Sequence, residues 1–154
     1  MEIERDYYLK KLISRRNNGM VKVITGLRRC GKSYLLFTIF KDYLLKSGIE
    51  LDHIIEIQFD DFAFKKYRKA QVAYDFVKEK IKDEEQYYIL LDEVQLLEEF
   101  EDVLNGFLHI KNVDTYVTGS NAKFLSTDII TEFRGRRDEV HNYEIGRASC
   151  RERV

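Results

Sequence analysis

Gly26-Leu-Arg-Arg-Cys-Gly31-Lys32-Ser33 fills every fixed position of the pattern G-x-x-x-x-G-K-[ST]. The two glycines let the main chain wrap closely enough for successive N–H groups to point at one phosphate. Lys32 would neutralise the outer phosphates, and the Ser33 hydroxyl would ligate Mg2+. Leu27, Arg28, Arg29 and Cys30 occupy the free positions and Tyr34 follows, so residues 26–34 form the candidate phosphate-binding segment. Its flanks agree with this reading. Met20-Val-Lys-Val-Ile-Thr25 reads as a buried strand leading in. Residues 32–46 read as a helix leading out, with Leu35, Leu36, Ile39, Tyr43 and Leu44 on one stripe and Gly48 past its end. A helix that starts at the motif directs the positive end of its dipole at the same anion.

Tyr87-Tyr-Ile-Leu-Leu-Asp92-Glu93 supplies a second half. An apolar strand ending in an acid is how P-loop NTPases present the Asp that holds Mg2+, here Asp92. Glu93, the next residue, is placed to polarise an attacking water. A strand ending in two acids carries little by itself, because strands often end at solvated carboxylates. In a chain that also carries the phosphate loop it becomes a specific expectation about metal and base.

Outward from these two stretches, strands and helices alternate. Residues 5–16 read as a helix through Tyr8, Leu9, Leu12 and Ile13, stopped by Asn17-Asn18-Gly19. Further strands are expected at residues 54–59, 87–91 and 115–118, and further helices at 71–81 and 100–110. A short helix at 122–125 and a fifth strand fragment at 139–143 complete the pattern. Such alternation implies βαβ units and a parallel sheet. The fold class expected is therefore α/β, a single domain over residues 1–143. Residues 144–154, Glu144-Ile-Gly-Arg-Ala-Ser-Cys-Arg-Glu-Arg-Val154, are arginine-rich and without period. They resemble the translation of a common sequencing adapter and are set aside as a non-native tail, the alternative being a native basic tail. Proline is absent from the whole chain, against an average usage of ~5%. Both features are expected of a native protein that continues beyond this chain.

Composition narrows the classes further. A chain of 154 residues fits one domain, and 44% apolar with 34% charged residues is ordinary for a globular protein. The 26 Lys+Arg nearly cancel the 27 Asp+Glu. That balance argues against a strongly basic nucleic-acid module or a polybasic membrane binder. No apolar run approaches the ~20 residues that span a bilayer, and the acidic start lacks the order of a secretory signal. Cys30 and Cys150 are too few for a disulfide framework or a cysteine metal site. A cytoplasmic domain without membrane association is expected.

The phosphate loop, Leu90-Leu-Asp-Glu-Val-Gln95, Val117-Thr-Gly-Ser-Asn-Ala122 and Arg134-Gly-Arg136 follow one another in this order. Together they resemble the AAA-superfamily ATP-binding proteins of bacteria and archaea, in which the AAA domain precedes an uncharacterised C-terminal domain. The resemblance covers about residues 3–143. It implies a three-layer P-loop fold with parallel sheet order 5-1-4-3-2, where the acid-bearing strand is not the immediate neighbour of the phosphate-loop strand. It also implies ATP and Mg2+ as cofactors and ATP hydrolysis as the activity. Ser120 or Asn121 would be the sensor of the γ-phosphate or attacking water, and Arg136 an arginine finger, often supplied across a homo-oligomer interface. A polar N-cap is the alternative for Ser120-Asn121, and a solvated basic turn for Arg136. The family pattern normally continues into a lid and the C-terminal domain, which this chain does not show.

The activity expected is Mg2+-dependent ATP hydrolysis coupled to a conformational change in a C-terminal domain. The alternative is a nucleotide-gated module that binds protein or nucleic acid with little turnover. No Asn-Lys-x-Asp motif for guanine is present, and the paired Asp92-Glu93 suits water activation better than phosphotransfer to a small acceptor. Phe62-Ala-Phe-Lys-Lys-Tyr-Arg-Lys69 has the composition of a nucleic-acid contact. A solvated loop whose aromatics dip into the core explains the same run. His53, His109 and His141 lack partners at metal-ligand spacing.

Overall fold

Alternate residues of one central strand enter two different cores, and the rest of the fold follows from that. In β3 (Tyr87–Asp92) all six residues are buried. Tyr87, Ile89 and Leu91 join one apolar cluster, while Tyr88 and Leu90 join another. Side chains on a strand point to opposite faces in turn, so an unbroken apolar run is the signature of a sheet covered on both sides. The structure is a computed structural model that describes residues 2–25 and 31–119.

The elements run α1 (Glu2–Ser14), β1 (Lys22–Thr25), a helix α2 over residues 32–46, β2 (Ile54–Gln58), α3 (Ala70–Lys80), β3, α4 (Phe100–Leu108) and β4 (Val113–Gly119). The four strands are parallel in the order β1-β4-β3-β2. The acid-bearing strand is thus separated from the phosphate-loop strand by β4. The α/β architecture expected from the sequence is the one observed. The fifth strand fragment, the helix at 122–125 and residues 144–154 lie outside the described residues.

One face of the sheet is covered by α3 and α4. Ala73, Val77, Phe100, Leu104 and Phe107 pack there against Ile55, Ile57 and Val117. Gly106 lets the two helices approach, since a Cβ on it would lie 3.0 Å from the Tyr74 ring. That ring stacks on Phe107 with the planes 8° apart. The other face is covered by α1 and α2 through Tyr8, Leu12, Leu35, Leu36, Phe40 and Leu44. At about 25 cal/mol per Å2 of apolar surface, these two interiors supply the main driving force for folding. α2 is continuous but not uniform: a widened π-helical segment, Leu35–Phe40, lies between α-helical Lys32–Tyr34 and Lys41–Lys46.

β4 begins two residues earlier than its sequence pattern indicates because Asp114 is buried with a partner. Lys22 Nζ lies 2.5 Å from Asp114 Oδ1, and Asn18 Oδ1 accepts from the same ammonium at 3.0 Å. Tyr116 Oη and Asn17 N each donate to Asp114 Oδ2 at 2.8 Å. A buried carboxylate with three donors is satisfied, so an acid can sit inside a strand. Glu56 of β2, partly exposed, faces α2 and pairs with Lys41.

The aromatic and basic run after β2 forms a 3-10 helix, Phe62–Arg68. Phe64 and Tyr67 pack against the core below α3 and α4, whereas Phe62 is 82% exposed. Arg68 Nε donates to Phe59 O at 2.8 Å, which pins the run to the end of β2.

Candidate functional site

The parallel register brings the C-terminal ends of the strands to one edge. Thr25 pairs with Gly119, and Gln58 pairs with Asp92. In open α/β sheets this is the edge where ligands bind. α2 begins there as well, behind Gly31, whose φ of 93° is left-handed. Only glycine takes that conformation without a steric penalty, which is a local reason for the second glycine of the motif.

Lys32 and Ser33, on the first turn of α2, meet the acids at the end of β3. Ser33 Oγ donates to Asp92 Oδ1 at 2.7 Å, and Lys32 Nζ donates to Glu93 Oε2 at 3.0 Å. Lys32 is 2% exposed and Glu93 4%, so this is a buried ion pair. Asp92 is 6% exposed. Burial pushes its carboxyl above the usual carboxylate range, and the Glu93 and Asp60 charges push the same way, against the Thr118 and Ser33 hydroxyls.

Two further residues complete the cluster, and sequence reading assigned no role to either. Thr118 Oγ1 donates to Asp92 Oδ1 at 2.5 Å and accepts from Glu93 N at 2.9 Å. Gln95 Nε2 donates to Glu93 Oε1 at 2.7 Å. Parity could have found Thr118: Leu91 pairs with Val117, so the next residue on each strand, Asp92 and Thr118, shares the opposite face. Gln95 had no such signal, because it acts from a 3-10 turn, Val94–Leu96, behind a left-handed Glu93 with φ 54°.

Tyr34 projects outward and is 47% exposed. Gly26, Leu27, Arg28, Arg29, Cys30, Ser120, Asn121 and Arg136 lie outside the described residues. Among the described residues no three His, Cys, Asp or Glu side chains gather as a metal cage. The hard oxygens of Ser33 and Asp92 nevertheless suit a hard cation that takes most of its ligands from phosphate and water. Ser33 spends its one proton on Asp92, which leaves its oxygen free to act as an acceptor toward such an ion.

The chain that carries this constellation has relatives among known proteins. The family model described as "AAA domain" matches residues 18–153. The chain belongs to this AAA domain family. An uncharacterized protein of Haemophilus influenzae is 35% identical over 144 residues, covering 93% of this chain and 36% of that protein. An uncharacterized protein of Methanocaldococcus jannaschii is 28% identical over 138 residues, covering 87% of this chain and 27% of that protein. The chain therefore spans about a third of the length of these curated relatives. Among solved structures, C. elegans PCH-2 matches with a TM-score of 0.56 at 17% identity, over 86% of this chain and 38% of that one. That likeness concerns the fold. The AAA superfamily membership expected from the motifs is borne out, and it supports nucleotide binding of the ATPase type in general. No helix among the described residues is long and apolar enough to cross a membrane.

Proposed function

We propose that this AAA domain binds ATP with Mg2+ and hydrolyses its γ-phosphate, driving a change in a C-terminal part of a longer protein. The observation that carries this reading is the convergence of Lys32, Ser33, Asp92 and Glu93 at the C-terminal sheet edge. Residues 26–31 would cradle the phosphates through their N–H groups, and Lys32 would neutralise the β- and γ-oxygens. Ser33 would ligate Mg2+, with Asp92 holding the ion through water. When bound, the ion would supply charge neutralisation between the outer phosphates.

The chain's own residues would do the rest. Glu93, within reach of the phosphate-side lysine, would accept a proton from the attacking water. Thr118 holds the Glu93 main chain and the Asp92 carboxylate in fixed relation through one hydroxyl. In this reading Ser120 or Asn121, following the end of β4, senses the γ-phosphate, and Arg136 stabilises the leaving charge, from the same or a neighbouring subunit. A protein or nucleic-acid target would be engaged by the remainder of the longer protein.

Phosphate release from Mg·ATP tests this reading, with Glu93→Gln as the variant. Turnover by the chain that falls at least ~100-fold in the variant supports a base at Glu93. Equal slow rates in both proteins would instead support the nucleotide-gated module that binds without hydrolysis.

A further inference from the structure

Both oxygens of the Glu93 carboxylate are engaged by donors, and the two donors differ in kind. Lys32 on Oε2 is a cation with another task, since any bound phosphate competes for it. Gln95 on Oε1 is neutral, two residues away on the same turn, and has no charge that a nucleotide could draw off. We propose that Gln95 is the positioning residue that holds Glu93 in its working orientation once Lys32 has turned to the phosphates. This rests on the reading of Glu93 as the base.

The orientation of the Gln95 amide is fixed by chemistry. Its other orientation would set a carbonyl oxygen against a carboxylate oxygen, with no proton between them. The observed amide therefore gives its N–H to Glu93 and keeps Oε1 for another donor. That Oε1 is buried and has no hydrogen-bond partner among the described residues. A buried acceptor left unmade is costly, and it lies on a side chain already bonded to the candidate base. A water held between Glu93 Oε2 and Gln95 Oε1 would satisfy it. In that arrangement one water proton faces the carboxylate that removes it, and the other is held by the amide. The oxygen lone pair is then left for the γ-phosphorus. The P–O bond to the β-phosphate breaks as the water oxygen adds, and the departing proton rests on Glu93.

The left-handed backbone at Glu93 serves the same end. With φ 54° and ψ 54°, it turns the chain sharply from β3 into the 3-10 turn. That turn brings Gln95 back alongside the Glu93 side chain, and the Thr118 hydroxyl holds the Glu93 N–H in place.

Two measurements test the assignment on the chain as it stands. By NMR, the Gln95 side-chain amide protons should carry the downfield shift and slowed exchange of a bond to a carboxylate, and lose both in Glu93→Ala. In kinetics, Gln95→Met keeps the length and bulk of the side chain but deletes its hydrogen bonds. It should lower kcat about 100-fold, the scale of a misplaced reacting group. KM for ATP and the calorimetric Kd for Mg·ATP should stay within about threefold, the split expected when an interaction acts in the transition state alone. A Gln95→Met chain with unaltered kcat, or one whose Kd weakens in step with kcat, would overturn the assignment. If Gln95→Met matches the parent while Glu93→Gln is dead, only the role of Gln95 fails. If Glu93→Gln turns over as fast as the parent, the base at Glu93 fails and Gln95 loses its role with it.

Discussion

Lys32 Nζ lies 3.0 Å from Glu93 Oε2, so the cation expected to meet phosphate and the carboxylate expected to activate water hold each other. Both are buried, and a buried pair repays its desolvation only while both partners are present. In the proposed reading, an incoming triphosphate would draw Lys32 away before the carboxylate could act as a base. Substitution of Glu93 by Gln removes the charge that competes for the lysine. Glu93→Gln should therefore bind Mg·ATP several-fold more tightly while its turnover falls by about 100-fold or more. Calorimetry and phosphate release on the same preparation check both halves of the expectation.

Burial makes an ionised Asp92 costly to the fold. Its carboxyl is pushed above the ordinary range, first by burial and then by Glu93 and Asp60. The folded state thus holds its proton more tightly than the unfolded state does, and above the ordinary carboxylate value of about 3.9 folding costs free energy at this residue. Asp92→Asn keeps an acceptor for both Ser33 and Thr118 and removes that cost. Without nucleotide, the variant should melt at a higher temperature than the parent at pH 7. The difference should shrink as pH falls through the raised value and disappear below about pH 4. Thermal melts across that range check the sign, and addition of Mg·ATP should reverse the order because it stabilises only the chain that binds it.

Thr118 is a joint between two acids. Its hydroxyl donates to Asp92 and accepts from the Glu93 main chain, all at buried positions. Thr118→Val preserves shape and leaves both groups without that partner. A loss of about 1–3 kcal/mol in urea unfolding is expected, together with weaker Mg·ATP binding, and Thr118→Ser should restore most of each.

At the opposite end of the sheet, Asp114 is the partner of buried Lys22. Asp114→Ala removes the carboxylate and strands a buried ammonium, a change that costs about 3–5 kcal/mol in other buried pairs. Chemical denaturation should show a loss of that order, with no direct effect on the nucleotide edge.

The neighbouring Tyr116 phenol is pushed well above its ordinary value by burial, and then by the Asp114 charge and its hydrogen bond. A tyrosine whose folded pKa is raised contributes stability that is present below about pH 10 and lost as pH rises through the folded value. Tyr116→Phe should cost on the order of 1 kcal/mol at pH 7, and its deficit against the parent should narrow above pH 10. Urea titrations at pH 7 and 10.5 compare the two.

The fold was legible because its signals are local. Tyr87-Tyr-Ile-Leu-Leu is apolar at every position since each face of β3 has its own core, and the strand–helix alternation repeats that environment. The phosphate-loop pattern and Asp92-Glu93 stand out in the sequence because the chemistry proposed for them requires particular residues at fixed spacing. What escaped depends on contacts distant in sequence. Nothing in the sequence pairs Lys22 with Asp114, which the sheet brings together. Thr118 reads as an ordinary strand residue until β4 is placed beside β3. Gln95 has no role legible in the sequence, because it meets Glu93 only where the left-handed Glu93 folds the chain back. The two aromatics Phe64 and Tyr67 turned inward while Phe62 stayed in solvent, a division that composition does not encode.

The most direct test of the nucleotide site is calorimetric titration of Mg·ATP into the chain, with Lys32→Ala measured alongside. Saturable binding by the parent chain that is lost in Lys32→Ala is the expected result, since in the proposed reading the buried lysine would supply the charge that meets the phosphates. A parent chain with folded α/β circular dichroism and no detectable binding, or equal binding by Lys32→Ala, would contradict the assignment of this sheet edge to ATP.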